Sequence, residues 1–199
     1  MIHINPFLYQ YLCTTSSSLI TLPIDIAQTK ILTSSPISFD LNELKWLMLF
    51  PLIFTSQNII YNELHYIKNT LLRGALAGII TTPIYTYLET QKMYTRLNIF
   101  PNYNIYIRLI LIRQALFYSI LYKISLLNIP YSSFIAAFIA NTIGFPIKLI
   151  ALSQSYSIFM INKQTIRLTA ILEIIKASIS DGIALFLMYN SYFSPLKII

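Results

Sequence analysis

Apolar residues run along this chain in six long stretches, and short polar phrases punctuate them. Ser34-Ser35-Pro36, Pro101-Asn102, Asn128-Ile129-Pro130 and Asn162-Lys163 are the breakers between stretches. The pattern predicts helices from about Pro6 to Ile31, Leu44 to Tyr66, Asn69 to Met93, Asn104 to Leu127, Tyr131 to Ile158 and Thr165 to Tyr189. Strands fit poorly, because no ten-residue segment alternates polar and apolar positions. Each stretch reaches the roughly 20 residues that a bilayer-spanning helix needs.

Three prolines sit deep inside apolar stretches, and each is followed by isoleucine. They occur in Leu22-Pro23-Ile24-Asp25, Thr82-Pro83-Ile84-Tyr85 and Phe145-Pro146-Ile147-Lys148. Internal repetition decides architecture before local reading does. The predicted fold is therefore an all-α membrane protein: six transmembrane helices in three pseudo-repeated hairpins. It forms a single transmembrane domain over 1–199, with repeats at approximately 1–66, 67–127 and 128–199. A proline within a span removes a backbone hydrogen bond and bends the helix. Neighbouring helices can satisfy the freed carbonyl.

Composition agrees. The 199 residues are 56% hydrophobic and 11% charged, with mean hydropathy +0.63. The net charge of +7 does not gather into a basic footprint, so nucleic acid is not an expected partner. Lys30, Lys45, Lys92, Arg96, Lys163, Arg167 and Lys176 collect at the ends reached after the odd helices. Lys68, Arg73, Lys123 and Lys197 collect at the other ends. The richer set faces the positive-inside compartment, and both termini face away from it. Residues 1–12 lack a basic leader, so targeting is expected to be internal. Cys13 is a lone cysteine and excludes an internal disulfide. His3 and His65 with that cysteine cannot build a Cys/His metal site, and no phosphate loop is present. Neither an enzyme nor a cofactor is expected.

The threefold proline phrase resembles the mitochondrial carrier family, in a shortened and degenerate form. That family closes each odd helix with Pro-x-[Asp/Glu]-x-x-[Lys/Arg]-x-[Lys/Arg]. Pro23, Asp25 and Lys30 match it, with Gln28 at the first basic position. After Pro83 the acid becomes Tyr85 and the bases become Leu88 and Thr90. After Pro146 the acid becomes Lys148 and the bases become Ala151 and Ser153. Gly74-Ala75-Leu76-Ala77-Gly78 resembles the small-residue approach to the family's proline, which lets helix backbones pack closely. Even helices of the family end in [Phe/Tyr]-[Asp/Glu]-x-x-[Lys/Arg]. Here the aromatic survives at Tyr61, Tyr118 and Tyr189, while the acid becomes Asn62, Ser119 and Asn190. By the resemblance, Ser38 to Lys45 is expected to be a remnant of the family's short connecting helix.

The resemblance implies paired charges that close a central cavity alternately from its two ends. By that rule the inner ring holds Asp25 against Lys30 or Lys148, and the outer ring holds almost nothing. Gates made of Tyr, Asn and Gln hydrogen bonds, or loss of gating, would account for this, and loss is the reading adopted. It makes the chain a non-catalytic structural subunit of a mitochondrial inner-membrane complex. A respiratory-chain complex such as cytochrome c oxidase or a supercomplex is the expected host. The implied partners are other inner-membrane subunits and membrane lipids, cardiolipin among them. The alternative is a minimal solute transporter for a small anionic metabolite. Arg108 and Arg113 on the fourth helix are its candidate substrate contacts, because a charge within a span marks a functional position. Counted back from Tyr118, Arg108 falls at the level where carriers touch substrate. Asp181 is expected to pair with Arg108, Arg113 or Lys148 inside the bundle.

Overall fold

The computed structural model describes residues 5–33, 41–97, 100–127, 131–155 and 163–189. At 28–33, 41–44, 96–97, 163–167, 169 and 189 it describes the backbone alone. The architecture is all-α. Six helices follow in order: α1 (Pro6–Thr33), α2 (Leu41–Glu63), α3 (Thr70–Leu97), α4 (Tyr103–Ser125), α5 (Ser132–Ser155) and α6 (Lys163–Tyr189). A single 3-10 turn, Leu64–Tyr66, ends α2, and no strand occurs among the described residues. Asn102 starts α4 by accepting a hydrogen bond from the Ile105 amide at 3.4 Å, an N-cap arrangement. Asn69 does the same before α3, accepting from Leu71 at 3.0 Å and Leu72 at 3.2 Å. Pro23, Pro83 and Pro146 lie inside α1, α3 and α5, and Pro51 lies inside α2.

Each helix packs on its neighbours in sequence, and α6 returns to α1, so the six close into a ring. Polar side chains turn inward: Gln10, Thr14, Ser17, Gln57, Thr82, Glu89, Gln114, Asn141 and Glu173 are buried. Large apolar side chains turn outward, including Leu12, Met48, Ile84, Ile112, Phe138 and Ile175, one from each helix. Apolar side chains such as Ile110, Leu121 and Leu185 are buried beside the polar ones, and the outer surface carries many large apolar groups. Among the described residues, two helices are long and apolar enough to cross a membrane by length and composition. They are Tyr103–Ser125, with mean hydropathy 1.4, and Ser132–Ser155, with 1.8. The other four have the length but carry more hydroxyl and charged groups, which lower the average although many face the ring's interior.

α3 and α4 approach closely enough for their backbones to touch. A β-carbon at Gly78 would come within 2.5 Å of the Gln114 carbonyl oxygen, and Gly74 is tighter still against Tyr118. Small residues thus let two backbones touch, as the Gly74–Gly78 phrase suggested. Gly78→Ala is expected to destabilise by about 1–3 kcal/mol through overpacking. Gly144→Ala is the control. Its new β-carbon would lie 3.6 Å from the Arg113 side chain, an ordinary contact. Thermal unfolding followed by Trp46 fluorescence in detergent should separate the two.

Candidate functional site: the central cavity

The ring surrounds a half-open cavity of about 280 Å³, to which all six helices contribute. Its walls run from Asp25, Lys92, Lys148 and Lys176 to Gln57, Tyr118 and Asp181. Different chemistry lines the two ends.

Ion pairs close the end where the odd helices finish. Asp25 on α1 accepts from Lys92 on α3 and Lys176 on α6, each at 2.8 Å. Lys176 also reaches Glu173, one turn earlier on α6, at 2.9 Å. Glu173 is bonded to Lys148 on α5. Lys148 lies 3.5 Å from Glu89 on α3. The chain Lys92–Asp25–Lys176–Glu173–Lys148–Glu89 thus alternates in sign and ties α1, α3, α5 and α6 together. The six members are at least four-fifths buried at the side chain. Among the described residues three acids meet three bases, so the charges of this network offset one another in a low-dielectric setting.

Aromatic rings and neutral hydrogen bonds close the other end. Tyr118 on α4 donates to Gln57 on α2, and Gln57 donates to Thr81 on α3 at 2.7 Å. Tyr61 stacks on Tyr122 with ring centroids 3.9 Å apart. The Arg73 guanidinium lies 3.8 Å from the centre of the Tyr61 ring, a cation–π contact. Tyr9 on α1 donates to the Leu187 carbonyl on α6 at 2.7 Å. Neutral hydrogen bonds and ring stacking thus hold this closure, with Arg73 as its charged member.

Between the closures lie two charged side chains outside both. Arg113 on α4 is 6% exposed and faces the cavity. Its Nε has no hydrogen-bond partner, and among the described residues it pairs with no carboxylate. Its cation lies 5.4 Å from the Phe117 ring. Asp181 on α6 accepts a hydrogen bond of 3.1 Å from the Asn141 amide on α5. Asn141 is fixed in turn by donating to the Ala137 carbonyl at 2.8 Å.

The structure corrects several expectations. Asp25 and Lys148 belong to one network but do not pair; Glu173 and Lys176 stand between them. The side chains of Gln28 and Lys30 lie outside the described residues. Lys92 and Lys176, counted above as end charges that set topology, are largely buried partners of Asp25, about one-sixth exposed at the side chain. Arg108 is exposed on the outside of α4. It is five residues from Arg113, about 140° around a helix, so the two cannot face one cavity. Asp181 makes no ion pair with Arg108, Arg113 or Lys148; its partner is Asn141. Tyr61 and Tyr118 are buried in the second closure, and the side chain of Tyr189 lies outside the described residues. Glu89 and Glu173 were missed. Glu89-Thr90-Gln91-Lys92 and Glu173-Ile174-Ile175-Lys176 could have signalled them, since each places opposite charges three apart on one face of an apolar helix.

No family model, no curated protein and no solved structure matches this chain.

Proposed function

We propose that this chain is a minimal membrane carrier for a small anionic solute, built on the threefold plan that its prolines resemble. Arg113 carries this reading. It is a buried cation facing the cavity, outside the ionic network and with its Nε unsatisfied, and a charge within a span marks a functional position. It lies in a cavity of about 280 Å³, at the small end of the ligand-pocket range. The cavity suits a mono- or dicarboxylate or a phosphate.

The two closures support the same reading. Alternating access needs two locks of comparable strength that open in turn. The ionic network is one, and the Gln57–Tyr118–Thr81 and Tyr61–Tyr122–Arg73 contacts supply the other. The accessory-subunit reading rested on lost gate charges. Glu89, Lys92, Glu173 and Lys176 add charges at one end of the cavity, where the subunit reading expected few, and so favour the carrier reading there. The mitochondrial inner membrane is the proposed location, by the resemblance of the proline phrase. The outward apolar surface suits several membrane crossings.

The test is uptake by purified protein in liposomes, with phosphate, pyruvate and succinate as probes. Saturable uptake or exchange of at least one is expected. No movement of any probe, with stoichiometric co-purification in a larger inner-membrane complex, would return the chain to the subunit reading.

A further inference from the structure

We infer that Asp181 binds a proton that crosses together with the anion held by Arg113, so that the carrier is a proton–anion symporter. This rests on the anion-carrier reading.

The cavity has four carboxylates: Asp25, Glu89, Glu173 and Asp181. Three of them have lysine partners in the network. Asp181 has none, and its partner is the neutral amide of Asn141 at 3.1 Å. Its placement is built rather than incidental. Gly182 packs so closely on α5 that a β-carbon there would lie 2.6 Å from the Phe134 ring, which holds the Asp181 turn against Asn141. Asn141 and Gly144 lie three apart on one face of α5, and the Arg113 side chain packs against Gly144. The cation and the unpaired acid therefore share one stretch of the α5 wall.

Charge counting supplies the coupling. Outside the network, Arg113 and an ionised Asp181 are the two opposite charges that face the cavity among the described residues. An entering anion adds a negative charge that Asp181 repels across a low-dielectric space. A proton on Asp181 removes that repulsion, so each ligand favours the other by the same factor. The step is simple to balance. A proton from water on the entry side forms the Asp181 O–H bond, travels with the anion, and returns to water on the exit side. The other charged and titratable groups facing this region have different commitments. Arg113 and Tyr118 face it from α4; Tyr118 is bonded to Gln57, and Arg113 holds the anion. Glu173 and Lys176 on α6, Asp25 on α1 and Lys148 on α5 are tied in the network. Cys13 on α1 packs with Ala184 and Met188.

Liposomes loaded with a pH-sensitive dye test this with phosphate, pyruvate and succinate as probes. Wild-type protein should acidify the lumen as the anion enters. Its uptake at low probe concentration should fall by up to about tenfold per pH unit on the alkaline side. With pyruvate and succinate, Asp181→Asn should lose the acidification and the pH dependence of whatever anion flux it retains. Asn141→Leu, which removes the partner of Asp181, should shift the pH midpoint of uptake. Pyruvate or succinate uptake by wild-type protein without acidification, acidification that persists with those probes in Asp181→Asn, or an unmoved midpoint in Asn141→Leu would overturn symport alone. Failure of wild-type protein to move any of the three anions would overturn the carrier reading as well.

Discussion

Arg113→Ala is expected to abolish anion transport while the protein still folds. Arg113 makes no ion pair with a carboxylate among the described residues, and its Nε is unsatisfied, so its removal breaks no direct ionic tie between helices. The bound state loses its main charge contact. Truncating one side of a buried charged hydrogen bond costs about 2–4 kcal/mol, or roughly 30- to 1,000-fold in affinity. Arg113→Lys should recover part of this, since a lysine keeps the charge but not the planar fork that grips two oxygens. Arg108→Ala should transport normally, because that side chain is exposed on the outer face of α4. Paired measurements decide the matter: probe uptake in liposomes, and the melting point in detergent with and without the probe. A wild-type melting point that rises with anion, and an Arg113→Ala melting point that does not, is the expected result. Equal uptake by both proteins would remove Arg113 from the site.

The same arginine shows what the sequence made legible and where it stopped. Helix existence and order were readable because apolar runs of the right length are bounded by Pro and Asn breakers. The predicted start near Asn104 and the observed α4 of Tyr103–Ser125 differ by a residue or two. The close α3–α4 approach was readable from Gly74 and Gly78, because only small residues permit it. Depth in the bundle was readable too: Asp25 and Lys148 lie in one network, as an inner ring requires. Facing direction was not readable. Counting back from Tyr118 gave a level for Arg108, but an arginine near a helix end can extend outward as easily as inward, and only packing against α5 tells them apart. Partner choice failed for a related reason. The family pattern assigns charges to positions after each proline, whereas this ring draws Glu173 and Lys176 from α6 and Glu89 and Lys92 from farther along α3. An ion network needs charges at one depth and on inward faces, and several sequence positions satisfy that geometry. Lys92 and Lys176 were read as loop charges because a lysine near a helix end ordinarily snorkels to water. Here buried carboxylates hold them inside.

Glu173 is the position where loss should most disturb the ionic closure. It is bonded to Lys148 and lies 2.9 Å from Lys176, so Glu173→Gln weakens two buried lysines at once. Lys176 retains Asp25 at 2.8 Å, and Lys148 retains Glu89 at 3.5 Å. Breaking a buried pair by removing one partner costs about 3–5 kcal/mol; the remaining partners set the expectation at the lower end, about 3 kcal/mol. In a chain of this size that lowers the melting point by roughly 6–12 °C. Lys148→Met should be less damaging in the Glu173→Gln background than alone, and a double-mutant cycle would give their coupling directly. The functional consequence follows from where the free energy is lost. The network exists in the state closed at this end, so weakening it by about 3 kcal/mol shifts the equilibrium roughly 100-fold toward opening there. Leu152 lines the cavity on α5, one turn beyond Lys148. With Cys13 replaced by Ala, a cysteine introduced by Leu152→Cys should react faster with a water-soluble thiol reagent when Glu173→Gln is also present. Unchanged labelling together with the lowered melting point would make the network a structural tie between helices instead of a gate.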